Sequence, residues 1–229
     1  MPRAYTSRNR ASSMARTRDG IIDVARELLP ASDELSVDAI AAAAGVSVQT
    51  LYSHFGSKRG LLIAVIDTVQ RDVGLYVDFE LIWQSPDGET ALRRMLGATF
   101  RLWAGAWPIV HFSERARRAD PEIEQYLRQV DGYRLMNLRS ITDQLALEGR
   151  LRAGLDAETA ADLAFTMSMP TVHEQLVVVR GMPAEEAAAL MTAAVAASVI
   201  DAGSASASTP ADWSGVLRPT ASVRLDAHE

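Results

Sequence analysis

Apolar residues recur along most of this chain at intervals of three and four, the spacing of a single helix face. Ile21, Val24, Ala25, Leu28 and Leu29 form the first such stripe, which Pro30 and the polar residues 31–34 bring to an end. Val37, Ile40, Ala41 and Ala44 form the second. Ser36 stands before it as an N-cap, and Gly45 follows where only a glycine turns left-handed without a Cβ penalty. After Ser47, a second capping residue, Leu51 and Phe55 point inward four residues apart, while Gln49, Thr50, Tyr52, Ser53 and His54 fall on the outer face or its flanks. A short helix, polar outside and anchored inside, set by a tight turn against another short helix, is the build of a helix-turn-helix recognition element.

Longer stripes continue beyond it. Leu61, Leu62, Val65, Ile66, Val69 and Val73 predict a helix from 58 to about 79, and residues 85–88 a turn. Leu92, Met95, Leu96, Thr99, Phe100 and Trp103 predict a helix from 89 to about 104, and Pro108 fits the first position of another that ends in Arg115, Arg117 and Arg118. Leu127, Val130, Leu135, Leu138, Ile141 and Leu145 give one from 120 to about 149; Asp156 caps the next, to about 179, with a kink at Pro170. The last runs from beyond Pro183 to about 201. Residues 1–12 lack periodicity and predict a mobile arm, with the first helix starting near Ser12 or Ser13. From 202 onward the Gly/Ser/Ala/Thr/Pro-rich composition predicts a flexible tail in which only Trp213 has a side chain suited to docking. Strand-like alternation is hard to find, so the class is all-α.

The pattern of Ala43-Ala44-Gly45-Val46-Ser47, Thr50-Leu51-Tyr52, Phe55, Ser57-Lys58 and Leu61-Leu62 resembles the DNA-binding segment of the TetR family of transcriptional regulators. The likeness is strong over residues 18–66 and weaker over 157–202. It implies an N-terminal helix-turn-helix DNA-binding domain (1–60), a helical ligand-binding and dimerisation domain (61–201) and the tail (202–229). The family usually carries a glycine between the first two helices, and this chain has none.

Composition then changes the picture in two places. Over the 229 residues the net charge is −6, unexpected for a nucleic-acid binder, but residues 1–60 hold eight basic and six acidic residues, a net +2 against −8 for the rest. Positive charge is gathered at the end that bears the helix-turn-helix, as attraction to phosphate requires. The absence of cysteine excludes disulfides, thiol nucleophiles and thiolate metal sites. No signal pattern or bilayer-length apolar run is present, so a cytoplasmic protein without membrane contact is expected.

Gln49 has the amide for bidentate contact with adenine. The resemblance implies Val48, Gln49, Tyr52 and His54 as base-facing residues and Thr50, Tyr52, His54 and Lys58 as phosphate contacts, with Ser36 and Ser47 at the same surface. Val48 lies only about 60° from Leu51 around the helix, so packing and contact with a thymine methyl remain equal alternatives. Lys58, the sole lysine, falls on the family's phosphate-binding position.

The resemblance further implies a ligand chamber within the helical body. Met95, Phe100, Trp103, Trp107, His111, Phe112, Met167, Met169 and His173 are its candidate lining, with plain core packing the alternative for each. The last two helices resemble the family's dimerisation pair. Ala187, Met191, Ala194, Val195 and Ser198 recur on one face there, with core packing again the alternative. One short recognition helix reads too few base pairs alone, so a homodimer on a palindromic operator, its two recognition helices about 34–36 Å apart, is expected. A small hydrophobic or amphipathic effector would release it.

No cofactor and no metal site are expected, since His111 with Glu114 and His173 with Glu174 do not make a spaced ligand set. No nucleophile elbow, P-loop or dinucleotide fingerprint occurs, so the protein is not expected to be an enzyme. Two other readings stay open: an architectural DNA binder without effector, and an enzyme using His111 and Glu114 as acid and base.

Overall fold

A computed structural model describes the backbone of residues 3–201, 203, 211 and 213, and the side chains among them from residue 12 onward. The described elements are all helical, apart from one isolated antiparallel bridge between Leu151 and Ile200. Among the described residues no helix is long and apolar enough to cross a membrane. By internal packing the chain divides into two compact units, 1–69 with 108–127, and 70–107 with 128–229.

The first unit contains α1 (Arg3–Leu28), α2 (Val37–Ala43), α3 (Val48–Phe55) and most of α4 (Lys58–Asp72). Helix α1 begins at Arg3, so the stretch expected as an arm is helical. Residues 3–19 contain neither glycine nor proline, and arginine and alanine favour the helix. The side chains of Arg3, Arg8 and Arg10 lie outside the described residues. Ile21, Ile22, Ala25 and Leu29 are buried, whereas Leu28, expected in the stripe, is exposed. The connection to α2 closes without a glycine. A 3₁₀ turn over Leu29–Ala31 is held by the Ser32 amide on the Leu29 carbonyl (3.0 Å) and the Ser32 hydroxyl on the Leu28 carbonyl (2.8 Å). Arg115 donates to the carbonyls of Ser32 (2.7 Å) and Pro30 (3.3 Å).

Four expected helices are divided or joined differently. The helix from 58 breaks at Gly74, whose φ of 76° interrupts the α-helix before α5 (Leu75–Ile82). The helices on either side of Pro108 are one, α6 (Gly88–Ala116), which accepts the proline at the cost of one backbone bond. Conversely, the helix expected to kink at Pro170 is cut. Helix α8 (Ala157–Met167) ends, Met169 is extended (φ −66°, ψ 153°) as the residue before a proline prefers to be, and Pro170 starts α9 (Pro170–His173). That helix continues as a π-helical segment over Glu174–Val179.

In the second unit α6, α7 (Pro121–Leu147), α8 and α10 (Ala184–Val199) enclose the main core, with Leu92, Leu96, Leu138, Ile141, Leu145, Ala161, Val195 and Val199 buried. Trp213 joins this core. Its indole is 7% exposed, its ring lies 5.4 Å from that of Trp83, and its N–H donates to the Ser85 carbonyl at 2.9 Å. The tail expected to be flexible therefore docks at this residue; most of 202–229 lies outside the described residues. Trp213→Ala is expected to lower stability by about 1–2 kcal/mol, less than a core tryptophan because a short docked segment regains chain entropy. A thermal midpoint unchanged from wild type would show that the docked indole contributes nothing.

Candidate nucleic-acid interface

The head owes its geometry to local bonds. The Ser36 hydroxyl accepts from the Ala39 amide (3.3 Å) and the Ser47 hydroxyl from the Thr50 amide (3.0 Å), so each caps its helix. Between them Gly45 stands at φ 67°, and the Val46 amide bonds to the Ala41 carbonyl at 3.0 Å, closing the turn. Leu51 is fully buried and pins α3 against the rest of the head. Phe55 is half-buried, with the Arg18 guanidinium 5.3 Å over its ring. Gly56, at φ 73°, ends the helix.

Anchored in this way, α3 presents Gln49, Tyr52 and Ser53 to solvent. Gln49 and Tyr52 are three apart and share one face, with Tyr52 42% exposed. Val48, Thr50 and His54 are half-buried at its flanks, so Val48 both packs and reaches the surface. Ser47 and Ser36 use their hydroxyls as caps. Lys58 opens α4 beside this face, its ammonium 2.7 Å from Asp120. Burial alone would raise the Asp120 carboxyl. The hydrogen bond and charge of Lys58, with the amides of Ile123 and Glu122, outweigh it and hold the group below its ordinary value.

The residues expected to line a chamber are divided between the units. His111 is half-buried and Phe112 fully buried, both in the first. In the second, Met95 and Phe100 are buried and Met167 is packed against the core cluster. Trp103 donates its indole N–H to the Ser168 carbonyl at 2.9 Å, and Trp107 lies 5.0 Å from the buried ring of His173. Met169 receives a contact from Arg134 at its sulfur, 3.1 Å.

Arg134 itself was not singled out in the sequence. It stacks 4.1 Å from Phe165, lies 5.6 Å from Trp103, and donates to the Ser168 hydroxyl and carbonyl at the α8–α9 break. The signal was there: it sits four residues from both Val130 and Leu138, inside the apolar stripe of α7. Glu114, the suggested partner of His111 in acid–base chemistry, is bonded to Arg117.

Of the residues expected at a dimer interface, Ala187 and Val195 are buried within the chain itself. Met191 packs against the same core, and Ser198 donates to the Val195 carbonyl and the Met167 sulfur. That stripe faces inward because small residues let α10 lie close to α8. The large apolar side chains left exposed on this helix pair, among the described residues, are Val178, Val179 and Leu190.

Burial lowers the His173 pKa below the ordinary value of 6.5. The unfolded chain thus takes up the proton first as pH falls. Stability is full above the ordinary value and declines as pH drops from there toward the folded pKa. The midpoint loss between about pH 7.5 and 5.5 is expected to shrink in His173→Phe; an equal loss in both proteins would assign the effect elsewhere.

A recognition helix capped, anchored and exposed in this manner defines a helix-turn-helix DNA-binding protein with an all-helical body. Residues 21–65 match the family described as bacterial regulatory proteins, tetR family, so the match covers the helix-turn-helix head. No curated protein matches it. Among solved structures it is similar to FadR of Bacillus subtilis, a transcriptional regulator in complex with stearoyl-CoA (22% identity, 78% of this chain and 97% of that one, TM-score 0.62). It is also similar to the SmeT–triclosan complex, SmeT being a repressor of Stenotrophomonas maltophilia (20%, 82% and 93%, 0.63). NalD of Pseudomonas aeruginosa, the secondary repressor of the MexAB-OprM efflux pump, is a third (17%, 84% and 100%, 0.68). At these identities the likeness is one of fold.

Proposed function

We propose that this protein is a homodimeric transcriptional repressor that binds a palindromic operator and is released by a small hydrophobic or amphipathic effector. The observation that carries the reading is the outer face of α3, where Gln49 and Tyr52 are exposed on a helix fixed by the Ser47 cap and buried Leu51. An amide on such a face suits an adenine edge, and a phenol beside it suits a phosphate or a second base. Lys58 adds the backbone contact. The exposed Val178, Val179 and Leu190 support pairing of two chains through the C-terminal helices, while Ala187, Met191 and Val195 hold α10 on the chain's own core. Two recognition helices then stand about one DNA turn apart.

The effector acts by binding one conformation of the dimer better than the other, since only differential affinity moves the equilibrium. Stearoyl-CoA and triclosan, bound by similar structures, support an apolar or amphipathic class and give the first probes. The candidate wall in the second unit is Met95, Phe100, Trp103, Trp107, Met167, Met169 and His173. Close packing of Met95, Phe100 and Phe112 favours a second reading, an architectural DNA binder with a solid body.

Selection of duplexes from random sequence by the purified protein tests the first reading. An enriched two-fold palindrome supports it. Salt-sensitive binding without enrichment supports the second. A probe at a hundred times its dissociation constant should add about 2.7 kcal/mol of stability to a sensor; failure across an apolar panel would favour the solid body.

A further inference from the structure

The ammonium of Lys58 is already engaged in the free protein. Its Nζ lies 2.7 Å from Oδ2 of Asp120, and the two side chains are 32% and 20% exposed. Asp120 is held in place by the other oxygen: Oδ1 accepts the amides of Glu122 (3.0 Å) and Ile123 (3.3 Å) at the start of α7. Lys58 is held by its backbone, for it opens α4 where the Ser57 hydroxyl accepts the Gly60 amide at 2.9 Å. The pair lies in an open groove of about 600 Å³ that Tyr52, Gly56, Ser57 and Glu122 also line. A carboxylate is thus fixed at the edge of the recognition helix, on the lysine that would meet DNA. Carboxylate and phosphate oxygens are equivalent acceptors for an ammonium, and one ammonium gives full charge compensation to only one of them.

We propose that Asp120 is an internal competitor for the operator phosphate, holding Lys58 in the free protein and giving it up when DNA binds. The proposal rests on the reading of Lys58 as a phosphate contact. Its consequence is that Lys58 contributes less to affinity, and less to salt sensitivity, than an unpaired lysine at the same place. Because Asp120 belongs to the turn between α6 and α7, a small displacement of that turn would change the charge offered to DNA without altering any base contact.

The test measures binding of mixed-sequence duplex DNA across about 50–200 mM salt for wild type, Asp120→Asn, Asp120→Ser, Lys58→Ala and the Lys58→Ala/Asp120→Asn double variant. Asparagine and serine both keep an acceptor for the α7 amides and remove the charge. Both are expected to bind two- to fivefold (roughly) more tightly at moderate salt, the range of a part-exposed ion pair. Their plot of log affinity against log salt should be steeper by a part of the ~0.9 per protomer that one unpaired lysine contributes, and both gains should vanish when Lys58 is alanine. Unchanged or weaker binding by the Asp120 variants, while Lys58→Ala flattens the salt plot, would overturn the proposal alone. A Lys58→Ala protein with the wild-type slope would remove the phosphate contact on which it rests.

Discussion

Replacing Gln49 and Tyr52 together by alanine is expected to lower affinity for the selected operator at least about a hundredfold and to leave the protein folded. A bidentate side-chain contact to a base discriminates by about 1–3 kcal/mol, and a two-fold dimer makes each contact twice. Neither side chain holds the head together, since Gln49 is exposed and Tyr52 is 42% exposed, while Leu51 and the Ser47 cap remain. Alanine also favours helix, so α3 should persist. Binding measured by fluorescence anisotropy should therefore collapse toward that of unrelated duplex, with circular dichroism and oligomeric state unchanged. Retained operator affinity would mean that α3 does not face the bases. The single variants separate the roles: Gln49→Ala should relax preference at one base pair per half-site, whereas Tyr52→Phe should weaken all sequences alike if its hydroxyl serves a phosphate.

How much of this was legible in the sequence follows from the range of the interactions. Within residues 36–58 every determinant is local: a serine three residues before the amide it caps, a glycine at positive φ, and a leucine and a phenylalanine one turn apart. The structure realises each of these. The body is held by contacts between distant residues, and there the reading was weaker. Local pattern set Pro108 as a start and Pro170 as a kink, but Pro108 lies inside α6 and Pro170 opens α9. Propensity ranks both residues alike; the neighbours that pack against each decide between them. Trp213 could be seen as a docking side chain, yet its partner Ser85 is 128 residues away. The stripe of Ala187, Met191 and Val195 was correctly periodic, but periodicity does not say whether the facing helix belongs to the same chain. Arg134 and Glu148 are charges where the pattern calls for apolar or basic residues, and each is a pointer of the kind that single stripes hide.

Glu148→Ala is expected to cost about 2–4 kcal/mol, or roughly 5–15 °C in thermal midpoint for a chain of this size. An acid just beyond the C-terminus of α7 opposes that helix's own dipole, so its presence there calls for a partner elsewhere. The partner is the N-terminus of α6. The Glu148 carboxylate is 4% exposed and accepts the Gly88 amide with both oxygens, at 3.0 and 3.2 Å, and the Gln144 side-chain amide at 2.7 Å. Gly88 lies close against α7, since a Cβ there would stand 2.8 Å from the Leu145 side chain. Truncation therefore leaves a helix-start amide and a glutamine unpaired beside the main core. Glu148→Gln keeps one acceptor for Gly88 and loses the charge, so its cost should fall between wild type and alanine. Chemical denaturation of the three proteins tests the order. If the alanine variant loses less than about 1 kcal/mol, solvent satisfies the α6 amide and the link from α7 is incidental. If glutamine costs as much as alanine, the negative charge at the helix start, rather than the hydrogen bonds, is what holds α6 in place.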